Sequence, residues 1–374
     1  MTKMKRLLCI VSCMNAGGAE TFLMKIYRHL NRDKYQMDFC VNGQGLYDDE
    51  IKEMGGKIFI IPPKSKNPFK TFNALKNIVK ENGYDYVIRV NEHSLSTLDL
   101  LAAKKGGAKN LIMRSSNAST LGKFNTFLHK LFFFMPRCIP TLKIAPSSEA
   151  GVYTFGKKAV KNGEVVLLHN ALSTDDYRFS QEKRDKYREE FEVNGKFVIG
   201  HVGRFNIQKN HDFLIEVFKE FCETNSNAVL LLIGKGELQN SIKEKVEKLN
   251  LTGKVVFTGV RTDVKDIFSA MDVFLFPSFF EGMPNTVIEA QTSGLPCLIS
   301  NAITPEARVT DLVEFESLKN DAKVWSNRLM EMKNKEFKNR ELFADEMLDK
   351  GYDIEETAKY FEKIVFESKN EENK

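Results

Sequence analysis

Short apolar runs alternate along the chain with stretches in which apolar residues recur at helical spacing. The run Leu7–Val11 is typical of a buried strand, and an amphipathic helix pattern follows it. The apolar face of that pattern consists of Ala19, Phe22, Leu23, Ile26, Tyr27 and Leu30. Further strand-like runs are MDFCV, KIFII, YDYVI, NLIM and LKIAPS, and then GKFVIGHVGRF, NAVLLLIG, KVVFTG, DVFLFPS and PCLIS. Strand and helix patterns in alternation predict parallel sheets covered by helices.

The two series of strands predict two domains, which is also what the length of 374 residues favours. The chain turns polar at 169–177, and the charged run QEKRDKYREE follows. We therefore predict an α/β protein with two doubly wound, Rossmann-like lobes that face a cleft. The first lobe is predicted to comprise residues 1–170, with a C-terminal helix at about 352–374 packed back on it, and the second lobe residues 171–351.

Composition is that of an ordinary soluble protein, with 42% hydrophobic and 28% charged residues and a formal charge of +5 that weakly favours anionic partners. The six cysteines form no C-x-x-C pair and have no histidine at metal-ligand spacing, which favours reduced thiols. No run approaches the ~18 apolar residues of a membrane span, so we expect a cytoplasmic protein.

Parallel sheets bind ligands beyond the carboxyl ends of their strands, and five loops there carry candidate chemistry. In NAGGAE, Gly17 and Gly18 let backbone amides approach a phosphate, although a plain tight turn fits equally well. The loop lacks the G-x-G-x-x-G fingerprint, which argues against a dehydrogenase. In GRFNIQKN, Arg204 and Lys209 suit a diphosphate, whereas a solvated basic surface is the ordinary alternative.

Two further loops are weaker signals by themselves. GKGE begins at Gly234 and is a tight backbone loop, as is the turn at Gly203. In GVRTD, Val260 and Arg261 are candidates for the edge of a base pocket.

The fifth loop, FFEGMPNTVIEAQTSG, places two carboxylates around a predicted helix start. Pro284 suits the first helical turn, so the amides of Asn285, Thr286 and Val287 are expected to be free for a phosphate. Glu289 then lies inside the helix and can accept two ribose hydroxyls, while Glu281 precedes the helix. A capping acid plus an ordinary surface glutamate is the alternative, which Gly282, Pro284 and Asn285 make less favourable.

This stretch resembles the E-x7-E signature of retaining glycosyltransferases of family 4, which have the GT-B fold. GGAE, VGRFNIQKN, LLLIGKGEL and VVFTGVRTDV follow in the expected order, so the resemblance covers nearly the whole chain. It implies an acceptor-side first lobe and a second lobe that binds a nucleotide sugar without a metal or other cofactor. Arg204 and Lys209 would hold the diphosphate, Glu289 the ribose and Glu281 the donor sugar, with Gly17 and Gly18 closing over the diphosphate.

One feature of the resembled family is missing from the first lobe. Members commonly carry a histidine after the fifth strand, where this chain has MRSSNAS, with Ser116 and Asn117 at the expected place. Asn117 and His93, which follows the fourth strand, are the candidate substitutes, although a lone histidine is more often structural.

A basic and aromatic segment, Lys123 to Arg137, is a candidate for peripheral contact with the inner face of the membrane; a helix packed on the sheet is the alternative.

The resemblance implies transfer from a nucleotide sugar, most plausibly a UDP-sugar, to a glycan or lipid-linked acceptor in capsule or exopolysaccharide biosynthesis. A sugar-nucleotide epimerase and a catalytically silent nucleotide-sugar-binding protein are the alternatives. Neither composition nor spacing indicates a nucleic acid partner.

Overall fold

The computed structural model describes residues 4–15, 17–91, 94–115, 129, 131–335 and 339–367. Its chain divides into two compact units. The first unit combines Met1–Ala171 with Ile354–Lys374, and the second is Leu172–Asp353. Each unit is built around its own parallel sheet, which confirms the predicted α/β class with two Rossmann-like lobes.

Within its described residues, the first lobe contains seven parallel strands in the order β3-β2-β1-β4-β5-β6-β7. They are β1 Lys5–Ile10, β2 Tyr35–Val41, β3 Ile58–Ile60, β4 Tyr86–Asn91, β5 Asn110–Ser115, β6 Leu142–Ala145 and β7 Val165–Leu167. Its helices are α1 Gly18–His29, α2 Asp48–Glu53, α3 Pro68–Asn82, α4 Thr97–Gly106, α5 Met135–Cys138, α6 Ser148–Phe155, α7 Lys157–Lys161 and the C-terminal α15 Ile354–Glu362. The order of the strands reverses next to β1, because β2 and β3 lie on one side of it and β4 to β7 lie on the other.

The predicted apolar face of the first helix forms part of this lobe's core. Phe22, Leu23, Ile26, Tyr27 and Leu30 are all buried, together with apolar residues of the C-terminal segment. The ring of Phe366, just beyond α15, stacks on Tyr35 at a centroid distance of 4.4 Å. The C-terminal segment is therefore a structural part of the first lobe.

A buried carboxylate, Asp38 of β2, joins several segments of the same lobe. It accepts two hydrogen bonds of 2.6 Å from the Arg6 guanidinium, one of 2.6 Å from the Tyr84 hydroxyl and one of 2.7 Å from the Lys57 amide. Asp38 has no exposed surface, so four donors replace its water.

The described part of the second lobe contains six parallel strands in the order β10-β9-β8-β11-β12-β13. They are β8 Phe197–Val202, β9 Ala228–Ile233, β10 Val255–Gly259, β11 Val273–Phe276, β12 Cys297–Ser300 and β13 Val313–Glu316. Its helices are α8 Gln181–Glu190, α9 His211–Thr224, α10 Gln239–Lys248, α11 Val264–Ile267, α12 Asn285–Thr292, α13 Ala322–Asn334 and α14 Leu342–Asp349. In this sheet the order of the strands reverses next to β8, because β9 and β10 lie on one side of it and β11 to β13 lie on the other. The loops after β8 and β11 are therefore neighbours at the carboxyl edge of the sheet.

No helix among the described residues has both the length and the apolar character needed to cross a membrane.

Candidate functional site

Four of the five candidate loops lie side by side along the carboxyl edge of the second sheet. The strand order places the loops after β10, β9, β8 and β11 in that sequence. They carry, respectively, Val260, Gly234, Lys209 and Glu281. The predicted base, phosphate and sugar contacts thus follow one another along a single edge, as an extended ligand requires.

The glycines of the β8 and β9 loops allow two backbones to touch. Gly234 has a φ of +139°, and a Cβ built on it would lie 2.1 Å from the carbonyl oxygen of Gly203. A Cβ on Gly236 would lie 2.3 Å from the carbonyl oxygen of Phe205. The Phe205 amide also donates to the Lys235 carbonyl over 3.1 Å. Gly234 and Gly236 are therefore required by the packing of the two loops, in addition to any role with a ligand.

The β8 and β11 loops are joined by hydrogen bonds that hold their functional side chains in register. The Phe279 amide donates to the Gln208 carbonyl over 2.9 Å. The Gln208 side chain donates in return to the Phe280 carbonyl over 2.9 Å, and the Asn210 side chain donates to the Pro277 carbonyl over 3.1 Å. Gln208 and Asn210 were not among the predicted residues, since only tertiary pairing gives them these partners.

Lys209 and Glu281, predicted for different parts of a ligand, contact each other directly. The Lys209 Nζ lies 2.7 Å from Glu281 Oε1, and their side chains are 16% and 12% exposed. The same Nζ lies 4.5 Å from the centroid of the Phe276 ring. The ammonium is thus held between a carboxylate and an aromatic face in a largely dry setting, which strengthens its field on anything that binds beside it.

Arg204 is placed differently from Lys209. Its side chain is 71% exposed, and its guanidinium pairs with Glu237 of the β9 loop over 3.3 Å. The two cations follow the same strand, but only Lys209 is fixed by close packing. An exposed guanidinium is free to reorient toward an anion at low cost.

The start of α12 differs from the prediction in two details. The helix begins at Asn285, so Pro284 is its N-cap residue and lies outside the first turn. The Val287 amide donates to the Pro284 carbonyl over 3.0 Å, so the prediction that this amide is free was wrong. A tight i to i+3 bond of this kind is common in the first turn of a helix.

Glu289 lies inside α12, as predicted, and contacts a residue that the sequence did not suggest. The hydroxyl of Tyr177 hydrogen-bonds the Glu289 carboxylate, and burial together with that carboxylate raises the pKa of Tyr177. Tyr177, Met283 and Val309 pack against the buried cluster that contains Ile288. A neutral hydroxyl donor held in this way fixes the direction in which Glu289 presents its oxygens.

If Glu289 binds the ribose, replacing Tyr177 by phenylalanine should weaken donor binding about fivefold to tenfold, because the lost hydroxyl acts only by orienting Glu289 and the change is that of about one ordinary hydrogen bond. Turnover at saturating donor should stay close to the wild-type value. Isothermal titration with the nucleoside diphosphate measures the first quantity and a saturated rate the second. A Glu289→Ala variant should lose more affinity, about 1.5 to 3 kcal/mol. Unchanged affinity in both variants would refute the ribose assignment.

Two buried histidines lie beneath Lys209. Burial lowers the pKa of His201 well below its usual range and lowers the pKa of His211 to about 4, with a further contribution from the Lys209 charge. The two rings are 4.7 Å apart, and His211 stacks on Phe205 at 4.1 Å. Both ring nitrogens of His211 lack a hydrogen-bond partner in the described part of the chain. At neutral pH both rings are therefore uncharged, which keeps Lys209 the local cation.

Because these histidines are buried in the uncharged form, we expect the protein to lose folding stability in mild acid. The folded-state pKa of His211 lies below its value of about 6.5 in an unfolded chain, so stability is present above that pH and is lost as the pH falls toward 4. Between about pH 7 and about pH 5, His211 alone should cost about 2 kcal/mol. Urea denaturation of His211→Phe, which keeps the stacking, should show a shallower dependence on pH than the wild type. Identical pH profiles would contradict this origin.

The β10 loop carries an ion-pair cluster. Arg261 donates to Asp263 over 2.6 and 2.8 Å and to Glu190 of α8 over 2.8 Å. Val260 beside it is 71% exposed. The structure thus gives Arg261 a structural role in joining the loop to α8, and the base-pocket role of Val260 and Arg261 stays a prediction.

The first-lobe candidates are only partly described. Gly18 opens α1, with Gly17 as its N-cap residue in extended conformation, so the helix start predicted there is present. His93, Ser116 and Asn117 lie outside the described residues, as do residues 123–128 and 130 of the segment 123–137. Within the described part, Leu131 and Phe134 are 56% and 60% exposed. Membrane contact by this segment stays a prediction.

Among the residues described, no three His, Cys, Asp or Glu side chains are grouped as metal ligands would be.

The sequence matches a known family and several named proteins. Residues 183–345 match the family described as "Glycosyl transferases group 1". The chain is 31% identical over 362 residues to "Putative glycosyltransferase EpsF" of Bacillus subtilis (strain 168), covering 95% of this chain and 94% of that protein. It is 25% identical over 298 residues, 76% of each chain, to "UDP-Gal:alpha-D-GlcNAc-diphosphoundecaprenol alpha-1,3-galactosyltransferase" of Escherichia coli. It is 32% identical over 266 residues to "Capsular polysaccharide biosynthesis glycosyltransferase CapM" of Staphylococcus aureus, 67% of this chain and 69% of that one.

A solved structure has the same architecture at low sequence identity. Anabaena Alr3699/HepE, in complex with UDP, superposes with a TM-score of 0.79 at 17% identity, covering 97% of this chain and 99% of that one. Its likeness confirms the predicted GT-B fold.

Proposed function

This chain belongs to the group 1 glycosyl transferases, and on that basis we propose that it is a retaining, metal-independent family 4 enzyme. Its donor would be a UDP-sugar, and its acceptor a glycan or lipid-linked saccharide in cell-surface polysaccharide biosynthesis. The observation that carries the proposal is the fixed contact of Lys209 with Glu281, 2.7 Å apart, between two neighbouring loops at the strand ends. It pairs a cation suited to a diphosphate with a carboxylate suited to sugar hydroxyls.

The proposed chemistry follows from where charge develops. Departure of UDP places negative charge on the phosphate oxygens, and a preorganised ammonium at that point stabilises it. Lys209 is immobilised by Glu281 and Phe276, so little rearrangement is needed when the bond breaks. Arg204, exposed and paired with Glu237, would swing onto the same diphosphate when the donor binds. Glu289, oriented by Tyr177, would hold the ribose.

Retention would arise by same-face attack, in which the leaving phosphate accepts the proton of the acceptor hydroxyl. Such a route needs no second carboxylate as nucleophile, so the Glu281 and Glu289 pair would not act as in glycoside hydrolases. Asn117 would supply a hydrogen bond to the sugar or acceptor in place of the family's usual histidine, and His93 would help to place the acceptor.

The names of the relatives support the choice of substrates. The Escherichia coli protein is named for UDP-Gal as donor and a diphosphoundecaprenol-linked acceptor, and CapM is named for capsular polysaccharide biosynthesis. The named relatives are transferases, so the epimerase alternative is not favoured. The silent-binder alternative differs from the proposal only in turnover.

Release of UDP separates these two possibilities. We expect the wild type to release UDP from a UDP-sugar slowly to water and faster with a lipid-linked acceptor, whereas Glu281→Ala should release it only at background rate. A thermal-shift panel of nucleoside diphosphates identifies the base, because a ligand at ~100 times its dissociation constant adds about 2.7 kcal/mol. UDP should raise the melting temperature more than GDP or ADP. Background release from both proteins, together with a UDP shift, would leave a binding protein.

A further inference from the structure

A pocket of about 410 Å³ opens at the amino-terminal edge of the second sheet. Lys209 and Glu281 follow strands of this sheet, whereas the pocket is lined by residues that precede its strands, so it lies at the opposite edge. Its volume is within the range of sites for small molecules. We call it the amino-edge pocket, and it is lined by Arg184 and Arg188 of α8, Gly195, Lys196 and Phe197 at the start of β8, Asn225 and Asn227 before β9, Asp272 before β11 and Lys333 of α13.

The lining of the amino-edge pocket carries an excess of positive charge. Two arginines and two lysines line it, and Asp272 is the one acid among the described lining residues. Asp272 pairs with Arg184 over 2.5 Å and with Arg188 over 2.6 Å, and it also accepts a hydrogen bond of 2.7 Å from the Val198 amide. The carboxylate is therefore occupied by contacts within the fold, and the two lysines have no counterion in the pocket.

A third arginine lies behind the pocket. Arg340 donates to three backbone carbonyls, one of them that of Met271 over 2.9 Å, and pairs with no carboxylate in the described part of the chain. Arg184 donates to the same Met271 carbonyl over 3.2 Å, so the two guanidinium groups are neighbours. Burial together with the Arg184 charge lowers the pKa of Arg340 to about 9. The positive charges at this edge thus repel one another, and an anion bound among them would relieve that repulsion.

The remaining donors of the pocket are available to a ligand. Lys196 donates to the backbone carbonyl of Glu192 over 2.9 Å, and the Lys333 Nζ lies 5.6 Å from the centroid of the Phe197 ring. Neither lysine forms an ion pair with a described residue. The Nδ2 atom of Asn225 is buried and has no hydrogen-bond partner among the residues described. A buried donor without an acceptor costs free energy, which a ligand that accepts from it would recover.

We propose that the amino-edge pocket binds the phosphate group of a small phosphorylated molecule. Phosphate oxygens accept hydrogen bonds and carry negative charge, which suits a lining of guanidinium, ammonium and amide donors. The Phe197 ring supplies an apolar surface, and the volume leaves room for an organic group beside the phosphate. The pocket shares no residue with the loops of the candidate functional site, so the proposal does not depend on the proposed transfer reaction.

Isothermal titration of the full chain with glucose 1-phosphate tests the proposal. We expect saturable binding that weakens as salt increases and that persists in Lys209→Ala, which removes a cation from the opposite edge. Lys196→Gln with Lys333→Gln should weaken binding about tenfold or more, the loss of two charge-assisted contacts. Asn225→Ala should weaken it about fivefold. Its melting temperature should stay close to that of the wild type, because the lost Nδ2 donor has no partner in the fold.

A matched control is available on the same lobe. Lys243 contacts a phenylalanine ring as Lys333 does, and Lys254 immediately precedes strand β10 as Lys196 precedes β8. Neither Lys243 nor Lys254 lines the pocket. Lys243→Gln with Lys254→Gln removes the same charge and should change the affinity less than about twofold, because screening weakens distant charges.

Three results would overturn the proposal. Equal losses in the two double variants would show a general effect of charge. Absence of binding to the wild type, or loss of binding in Lys209→Ala, would show that the ligand does not occupy the amino-edge pocket. Inorganic phosphate should bind more weakly than glucose 1-phosphate, and equal affinities would overturn the assignment to a phosphorylated molecule and leave a site for the free anion.

Discussion

Replacing Lys209 by alanine should lower the turnover of sugar transfer by about 100-fold or more, as expected for loss of a fixed charge donor at the leaving group. Lys209 is only 16% exposed and is held 2.7 Å from Glu281, so the exposed Arg204, which is not fixed by close packing, cannot supply the same preorganised charge. Its loss also leaves Glu281 as an unpaired carboxylate beside the expected diphosphate. Repulsion between these two anions should raise the barrier further.

Turnover is measured as UDP release with saturating donor and acceptor. Lys245→Ala is the matched control, because Lys245 also forms a 2.7 Å ion pair, with Glu216, and is 21% exposed, but lies on α10. That variant should keep wild-type turnover. Thermal unfolding of both variants separates catalytic loss from unfolding.

Chelation provides the complementary test of the same prediction. If the cation and the backbone amides neutralise the leaving diphosphate, EDTA should not change the wild-type rate. Loss of activity in EDTA with recovery on addition of magnesium or manganese would contradict the role given to Lys209. Full activity of Lys209→Ala would contradict it as well.

Replacing Asp38 by asparagine should lower the free energy of unfolding by about 3 to 5 kcal/mol, the range for breaking a buried ion pair. Asp38 is fully buried and accepts hydrogen bonds from Arg6, Tyr84 and the Lys57 amide. The asparagine amide carries no charge. Its NH2 group, itself a hydrogen-bond donor, would also face some of the donors that now contact the carboxylate. Hydrogen bonding to Asp38 raises the pKa of Arg6, in accord with a charged pair.

Urea denaturation, followed through the tyrosine-rich first lobe by near-ultraviolet circular dichroism, measures this loss. Asp85→Asn is the matched control: Asp85 pairs with Lys109 over 3.6 Å, and its side chain is 54% exposed. Its replacement should cost less than about 1 kcal/mol, as for most surface ion pairs. Equal losses in the two variants would show that burial of Asp38 contributes nothing.

Local periodicity was sufficient to predict the α/β class and the approximate position of the strands. The apolar face of α1 follows from spacing alone, because a helix brings every third or fourth residue together whatever surrounds it. The loops that carry Arg204, Lys209 and Glu281 follow from their position after apolar runs, since a parallel sheet places the carboxyl ends of its strands at one edge.

What the sequence could not determine depends on strand order and on burial. Nothing local indicates that β8 and β11 are neighbours, and that adjacency brings Lys209 onto Glu281 although 72 positions separate them. Asp38 within MDFCV has no local sign of its four donors, which come from three other segments of the first lobe. Tyr177 looks like an ordinary polar-loop residue until packing places its hydroxyl on Glu289.

The sequence by itself therefore determined the class of fold, the two sheets and the residue types available at the strand ends, because these depend on short-range spacing and composition. The tertiary structure decided which of those residues meet and which charged groups are removed from water. The physical reason is that an ion pair or a desolvated carboxylate depends on atoms within a few ångströms in space, and the chain brings such atoms together from distant positions.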